Sequence, residues 1–451
     1  MKKKTGWTLL GVLLIVGAFA FELLHPQTVE TRYTGAYALP DESYVFISPE
    51  DGGTLRYRTL SGQSGLLWRT GTHRFEGGRG FADRIPAFNL FNFELDSSGH
   101  VSGLSWQQTG GQVVRAPRVK LTEQIVAFDS GNVRLRGKLV MPSGGGSHPA
   151  VVVVHGSEET SAVDRRFEPY LYASAGFATL VFDKRGTGES QGELTMNFRV
   201  LATDVMAALK WLRDQPGIDG ANVHLVGFSQ GGWVAPMAAA RDGGVRSVLV
   251  CYGPLVSVFQ EDRWGYVSAL KAHGFDDAAI AEADRVNDIL SDIVDRRQNR
   301  WSDLGKALVE ARSKPWFDSL KGANSLLSDF AHSHLPLWGQ RMKVWWILRK
   351  EPPFIDRLYD PVPTAAALKG PSYWLFGEQD STMPTEWTVE ALNKLQRRGK
   401  PVDYLIYPEA DHGGMRFEQL PEGERRILGY EPDFFKVQLD WLKRASARAP
   451  S

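Results

Sequence analysis

The chain has 451 residues, with 52 Lys and Arg against 52 Asp and Glu, so its formal net charge at pH 7 is zero. Apolar residues make up 43% and charged residues 23%, a balance typical of globular proteins and unlike that of disordered chains. The absence of a basic excess argues against a nucleic-acid partner. At roughly 150 residues per domain, the length predicts about three structural units.

The first 24 residues, MKKKTGWTLLGVLLIVGAFAFELL, are a lysine cluster followed by an apolar run. This pattern is typical of a signal peptide or of a single membrane anchor. The small residues around Ala18 and Ala20 resemble a cleavage site, whereas a run of about 18 residues lies at the lower edge of a spanning helix, so both alternatives stay open. Because the lysines are expected to remain in the cytoplasm, the rest of the chain is predicted to be periplasmic or extracellular, with inner-membrane anchoring as the alternative to cleavage.

Residues 31–119 have an all-β pattern. Short segments such as YVFIS, TLRYRTL and FNLFNFEL alternate with turn-forming stretches such as SGQSG and DSSGH. This alternation predicts a small antiparallel β domain, and we find no catalytic constellation in it. Cys251 is the only cysteine of the chain, so no disulfide can form within it.

From residue 120 the pattern changes to strands alternating with helices. The apolar runs AVVVV, FATLVF, NVHLVGF and SVLVC are separated by helical segments, which predicts an α/β fold with a mostly parallel sheet and helices on both faces. The pattern covers residues 120–253 and resumes over 369–451. The intervening residues 254–368 are helical by period and predict an inserted cap. We expect most of the tryptophans in this insertion to pack in its core.

Two stretches match the G-x-S-x-G pattern around the nucleophile of many serine hydrolases, GESQG around Ser190 and GFSQG around Ser229. A nucleophile elbow needs a strand that ends at the serine and a helix that begins directly after it. Ser229 has both, since NVHLVGF precedes it and GGWVAPMAAA follows it. Ser190 is separated from its strand by the loop KRGTGE. The sequence therefore predicts Ser229 as the nucleophile and Ser190 as a loop residue.

A serine nucleophile needs a base and an acid that orients the base. In a chain of this organisation the expected order is Ser, then Asp or Glu, then His. The loop GEQDSTMP offers Glu378 and Asp380, and the loop ADHGG offers His412. We predict His412 as the general base and prefer Asp380 as the acid because it lies deeper in its loop.

Tetrahedral intermediates of acyl transfer need two backbone N–H donors, the oxyanion hole. The N–H of Gln230, directly after the nucleophile, is the first candidate. The second is expected from the loop after an earlier strand, and AVVVVHGS offers the N–H of Ser157 there. Gly156 allows the backbone to approach closely, and His155 is expected to brace this loop.

Taken in order, VVVVHGS, DKRGTGES, GFSQGG, GEQDSTMP and ADHGG resemble the α/β-hydrolase superfamily. The resemblance runs from about residue 119 to the C-terminus and is closest to bacterial exported carboxylesterases and to dienelactone-hydrolase-like or S9-peptidase-like members. It implies a structural role for the DKRGTGES loop and a cap after the sixth core strand. The β region is much too short for the propeller of prolyl oligopeptidases.

These observations predict an exported serine hydrolase that cleaves a small-molecule carboxylic ester through an acyl-enzyme. The alternative is a peptidase or amidase that uses the same triad. A third reading, a β-type binding module on a degenerate hydrolase scaffold, is disfavoured by the complete set of triad candidates. The predicted chemistry requires no cofactor, and the histidine spacing does not indicate a metal site.

Overall fold

The computed structural model describes residues 31–41, 43–50, 53–349, 353–420 and 425–447. The predicted signal peptide or anchor over residues 1–24 lies outside them. None of the described helices is both long and apolar enough to cross a membrane. By their internal contacts the described residues form two compact units, one of 31–59 and 64–119 and the other of 60–63 and 120–447.

The first unit is an antiparallel sheet of eight strands, each paired with the next along the chain. Alternate residues of each strand point to the same face of the sheet, and many of the residues buried in this way are aromatic. In the sixth strand Phe91 and Phe93 are buried, and the ring of Phe91 stacks on Trp106 at a centroid distance of 5.4 Å. The strands are β1 Gly35–Ala38, β2 Tyr44–Pro49, β3 Leu55–Thr59, β4 Ser64–Arg69, β5 Arg74–Gly77, β6 Asn89–Leu95, β7 Val101–Gln108 and β8 Val113–Pro117.

The second unit contains a second eight-stranded sheet, in the spatial order β16-β15-β14-β13-β11-β12-β10-β9. β9 and β10 form an antiparallel hairpin, and β10 also pairs antiparallel with β12. All other neighbours are parallel. The strands are β9 Thr122–Ser130, β10 Val133–Met141, β11 His148–Val154, β12 Ala178–Phe182, β13 Ile218–Phe228, β14 Ser247–Cys251, β15 Ser372–Gly377 and β16 Val402–Tyr407. This is the α/β core that the alternating pattern predicts.

Helices pack on this sheet through apolar faces. The helix Phe198–Arg213 begins at Phe198 because the Asn197 side chain caps it, accepting hydrogen bonds from the N–H groups of Arg199 and Val200. Its buried positions Leu201, Val205 and Leu209 recur at helical spacing and join the core of the sheet. The first four helices are α1 Ala162–Arg165, α2 Glu168–Ser174, α3 Phe198–Arg213 and α4 Gly231–Asp242.

A helical insertion follows the sixth core strand, β14, and precedes β15. It has its own apolar core, which includes Leu270, Leu290 and Leu304. Arg357 forms ion pairs with Asp262 at 3.0 Å and Asp295 at 2.8 Å, all largely buried. The insertion comprises α5 Val258–Ala272, α6 Asp277–Val294, α7 Trp301–Ala311, a 3₁₀ turn at Phe317–Leu320, α8 Leu326–Ala331 and α9 Leu337–Ile347.

The tryptophans of this insertion differ from expectation. Trp316 is buried, but Trp338, Trp345 and Trp346 on α9 are 70%, 52% and 63% exposed. The prediction of core packing is therefore wrong for these three. Only one side of α9, with Gln340 and Val344, is buried, so aromatic residues on its other side face solvent.

The chain after the insertion returns to the sheet and adds a small structure that the sequence pattern did not indicate. Three short antiparallel strands, β17 Ala410–Asp411, β18 Met415–Gln419 and β19 Arg425–Tyr430, form a separate sheet. Three helices complete this part of the unit: α10 Val362–Ala366, α11 Thr385–Arg397 and α12 Phe434–Ala447.

Candidate active site

Ser229 stands at a sharp turn between β13 and α4. Its φ is +49°, a left-handed conformation that residues other than glycine seldom adopt. Space around the turn is minimal, because a Cβ on Gly227 would lie 2.4 Å from the Gly231 carbonyl oxygen and one on Gly231 would lie 2.2 Å from that of Val154. The small residues flanking Ser229 are therefore required for strand and helix to approach each other.

His412 lies in the turn of a tight hairpin. Asp411 of β17 pairs with Met415 of β18, and the turn closes through Gly413 and Gly414 at φ +85° and +69°. This hairpin follows the C-terminal end of β16, the edge at which open α/β sheets place their ligands. The turn brings the imidazole to the side chains that follow β13 and β15.

The three predicted triad side chains come together in one hydrogen-bonded row. Nε2 of His412 lies 3.2 Å from Oγ of Ser229, and Nδ1 lies 2.8 Å from Oδ2 of Asp380. Burial by itself would lower the pKa of His412, but the Asp380 carboxylate, together with smaller contributions from Glu261 and Asp411, raises it above its ordinary value. This arrangement has the geometry in which a histidine can accept the proton of a serine hydroxyl.

Asp380 is held firmly in place. It is buried, and its second oxygen accepts the N–H groups of Thr382 at 2.8 Å and Met383 at 2.9 Å. The alternative acid, Glu378, is exposed. Asp411 turns away from the imidazole, because its carboxylate pairs with Arg425 at 2.6 Å and accepts the N–H of Ser381 at 2.9 Å.

Ser190 has a different environment. Its hydroxyl donates to the Asp183 carbonyl oxygen at 2.8 Å and accepts the N–H of Arg136 at 2.9 Å. It is buried in the loop after β12 and has no histidine partner among the described residues. Both hydrogen bonds stabilise the loop.

The two predicted oxyanion donors border the elbow. A Cβ on Gly156 would lie 3.2 Å from the Cβ of Ser229, so the loop after β11 runs beside the nucleophile. Gln230 directly precedes α4, at the end of the helix where N–H groups point outward. In the part of the chain that the structure describes, the backbone N–H groups of Ser157 and Gln230 have no hydrogen-bond acceptor. Both are thus free to receive an oxyanion.

Lys184 contacts both the loop after β11 and Gln230, and its role could not be identified from the sequence. The buried ammonium donates to the Gly156 carbonyl oxygen at 2.6 Å and to Oε1 of Gln230 at 3.1 Å. Burial lowers its pKa to about 8, although the nearby Glu158 opposes this. The Gly156 carbonyl belongs to the same peptide group as the Ser157 N–H, so a cation on the oxygen strengthens that N–H as a donor. The only signal in the sequence was a lysine inside the DKRG loop.

His155 is buried in the same loop. Burial lowers its pKa to about 4, so the imidazole is neutral at pH 7. Nδ1 lies 3.5 Å from the Glu158 carboxylate, which also pairs with Arg166 at 2.7 Å. His155 therefore belongs to the packing of this loop.

Two further residues face His412. The Tyr252 ring, directly after β14, meets the imidazole edge-on at a centroid distance of 4.8 Å. Glu261 of α5 interacts electrostatically with His412 and Asp380, and burial raises the pKa of its carboxyl to about 8. Within the described residues the Glu261 side chain has no hydrogen-bond or ion-pair partner. Neither residue belongs to a motif, so neither could be recognised from the sequence.

Comparison with known proteins gives one family and several partial relatives. The sequence model of the X-Pro dipeptidyl-peptidase family (S15) matches residues 130–414. Esterase EstD of Thermotoga maritima is 30% identical over 186 residues, which are 39% of this chain and 44% of EstD. Thiohydrolase aneE of Aspergillus aculeatus is 33% identical over 134 residues, 29% of this chain and 41% of that protein. The chain thus spans less than half of the length of these relatives.

Two solved structures show weaker likeness. An acylaminoacyl peptidase of Pyrococcus horikoshii has a TM-score of 0.45 and 15% identity, over 89% of this chain and 56% of that chain. A protein described as a putative dienelactone hydrolase from Klebsiella pneumoniae has a TM-score of 0.41 and 15% identity, over 72% of this chain and 99% of that chain.

Proposed function

The chain belongs to the X-Pro dipeptidyl-peptidase (S15) family and is a serine hydrolase of the α/β-hydrolase type, and on this premise we propose that it cleaves small carboxylic esters through an acyl-enzyme. The observation that carries the proposal is the row Ser229–His412–Asp380, with distances of 3.2 and 2.8 Å. The partial identity to an esterase supports the choice of ester bonds.

The proposed reaction begins when Oγ of Ser229 attacks the acyl carbonyl. Nε2 of His412 takes the hydroxyl proton and then gives it to the leaving alcohol, which departs as the acyl-enzyme forms. Asp380 accepts the Nδ1–H of His412 and so fixes the tautomer in which Nε2 is the base. Water, activated by the same imidazole, then releases the acid and restores Ser229.

The negative charge of each tetrahedral intermediate is received by the N–H groups of Gln230 and Ser157. Lys184 acts as a positioning residue, because its ammonium holds the Gly156 carbonyl oxygen at 2.6 Å and thereby orients the peptide that carries the Ser157 N–H. It also holds the Gln230 side chain. Donors fixed before the reaction cost no reorganisation when charge develops.

We expect helices α5 to α9 to act as a cap over this site. The support is Glu261, whose carboxyl on α5 is close enough to His412 and Asp380 to interact with both. A cap of this kind decides which acyl groups enter, so the size of the accepted acyl chain is a property of the insertion.

Peptide cleavage is a second candidate function, and Glu261 favours it. A half-buried carboxyl without a protein partner, beside the row Ser229–His412–Asp380, is suited to pair with the amino-terminal ammonium of a short peptide. A bound ammonium would also favour the ionised carboxylate at pH 7. Esters without an amino group would gain nothing from this pairing.

Matched substrates decide between the two candidates. Dipeptide p-nitroanilides with a free amino terminus would be compared with p-nitrophenyl esters of acyl groups that lack an amino group, in the wild type and in Glu261→Gln. If peptides are the substrates, the substitution lowers kcat/KM for the anilides by about tenfold or more and leaves the esters little changed. Esterase activity without anilide cleavage would eliminate the peptidase candidate.

A fluorophosphonate probe tests the shared chemistry. We expect the probe to label Ser229, and Ser229→Ala to lower kcat on the order of 10⁶-fold. Ser190→Ala is the matched control, since it removes the serine of the other G-x-S-x-G stretch. Labelling that persists in Ser229→Ala and disappears in Ser190→Ala would overturn the assignment.

We also propose that the protein is exported, on the evidence of the lysine cluster and apolar run in residues 1–24. Fractionation of the producing cell, with mass spectrometry of the N-terminus, tests this. A mature N-terminus near residue 20 in a soluble periplasmic or secreted fraction indicates cleavage, and an intact N-terminus in the membrane fraction indicates an anchor. Protein confined to the cytoplasm would contradict export.

A further inference from the structure

The exposed side of α9 is apolar and aromatic. Trp338, Met342 and Trp346 are 70%, 61% and 63% exposed, and Trp345 is 52% exposed. Spacings of four residues place Trp338, Met342 and Trp346 on one face of the helix, opposite the buried Gln340 and Val344. Contiguous apolar surface of this kind is unusual on a soluble protein and marks a site of interaction.

Basic residues accompany this face. From residue 330 to residue 349 the sequence contains no Asp or Glu, but it contains Arg341, Lys343 and Arg349. In the described part of the chain neither Arg341 nor Arg349 has a carboxylate partner, and the Arg349 guanidinium lies 3.8 Å from the centre of the Trp345 ring. The face therefore combines tryptophan with unneutralised positive charge.

A cleft of about 330 Å³ opens between α9 and the loop after α6. Three guanidinium-bearing residues line it, Arg297, Arg341 and Arg349, together with Trp301 and Trp345. None of the described residues that line the cleft is acidic. Guanidinium groups grouped around a space of this size are suited to a phosphate.

We propose that this face of α9 docks the protein onto an anionic phospholipid bilayer, with a headgroup phosphate in the arginine-lined cleft and Trp338, Met342 and Trp346 in the headgroup layer. Tryptophan favours the membrane–water interface, and basic residues beside it are attracted to anionic lipid. A second copy of the chain fits the face poorly, because a symmetric contact would oppose the same arginines and lysine. The inference concerns where the enzyme works and is independent of its proposed chemistry.

The test is a vesicle-binding assay with the full chain. Sedimentation would compare vesicles of phosphatidylcholine alone with vesicles of phosphatidylcholine and phosphatidylglycerol in equal parts, at low and high salt. We expect stronger binding to the anionic vesicles and its loss at high salt. Residues 1–24 are the same in every variant, so any contribution from that segment cancels in the comparison of variants.

Arg341→Gln/Arg349→Gln is expected to weaken binding to anionic vesicles by roughly 30-fold, about fivefold for each basic residue. The matched control is Arg397→Gln/Arg398→Gln, which removes two exposed arginines at the end of α11. Its net charge is the same as that of Arg341→Gln/Arg349→Gln. Trp338→Ala/Trp346→Ala is expected to weaken binding as well, with Val309→Ala, at 68% exposure on α7, as its control. Thermal unfolding checks that each variant is folded.

Three results would overturn the proposal. The first is equal binding to neutral and anionic vesicles in the wild type. The second is a folded Arg341→Gln/Arg349→Gln variant that binds as well as its control. The third is a dimer, seen by analytical ultracentrifugation, that Trp338→Ala/Trp346→Ala abolishes, since the face would then be an interface between copies.

Discussion

Replacing Lys184 with Met tests how the proposed oxyanion hole is held. The substitution keeps the length of the side chain and removes the donor that contacts the Gly156 carbonyl at 2.6 Å and Gln230 at 3.1 Å. A hydrogen bond from a charged group is worth about 1.5–3 kcal/mol, and each 1.4 kcal/mol is a factor of ten. If this energy is realised in the transition state, kcat falls about 10- to 100-fold. The upper limit is the loss of one oxyanion donor, about 10²–10³-fold.

The pH profile separates this role from a merely structural one. Burial lowers the pKa of Lys184 to about 8, so the wild type loses the cation as the pH rises through 8, and its kcat/KM on a soluble ester should fall there. Lys184→Met has no cation to lose, so it should lack this component of the alkaline decline. Glu261, whose pKa is also about 8, titrates in the same range. Glu261→Gln removes this second titration, so the alkaline fall in kcat/KM that remains in this variant should be the one due to Lys184.

As the pH rises above about 8, the free energy of unfolding should increase while kcat/KM falls. The pKa of Lys184 is lower in the folded chain than in the unfolded chain, so between about pH 8 and 10.5 the unfolded chain binds more protons, and the free energy of unfolding rises with pH. Thermal unfolding should therefore show the wild type gaining stability over Lys184→Met in this range. A folded Lys184→Met variant with the wild-type kcat and the wild-type alkaline decline would refute the reasoning.

The other predictions follow from the same contacts. Asp380→Asn should lower kcat about 10⁴-fold through the wrong tautomer of His412, measured by ester turnover. Because Asp380 raises the pKa of His412, and only neutral imidazole can act as the base, the acid limb of kcat/KM should lie above pH 6.5 in the wild type. An acid limb of kcat/KM at or below pH 6.5 would contradict this prediction. Ser190→Ala should leave ester turnover largely intact but cost about 1–3 kcal/mol in chemical unfolding, because it removes the buried acceptor of the Arg136 N–H. Unchanged stability would show that the loop adapts to the loss.

The sequence predicted the α/β core because its signals are local. A strand, a sharp turn and a helix are adjacent in the chain around Ser229, and the order Ser, Asp, His follows from the order of the strands. The resemblance to the α/β-hydrolase superfamily is confirmed by the family match. The roles of Ser229, Asp380 and His412 remain predictions, although the structure places their side chains in one hydrogen-bonded row.

The features that sequence reasoning missed depend on contacts between distant segments. Lys184 meets a carbonyl 28 residues before it and an amide 46 residues after it. Glu261 comes close to His412 only because α5 approaches the hairpin that carries His412, and the sequence does not show this approach. The tryptophans of α9 were expected in a core because composition does not show which side of a helix is covered.

The hairpin that carries His412 has a consequence for the timing of activity. The general base is synthesised 183 residues after the nucleophile, which at about 5–20 residues per second is a delay of roughly 10–40 s. During that interval the elbow at Ser229 can fold against strands that are already made, but on the proposed mechanism the serine has no base. On this mechanism the growing chain is a latent enzyme, and its hydrolytic activity begins only when the hairpin that carries His412 has been made and has folded.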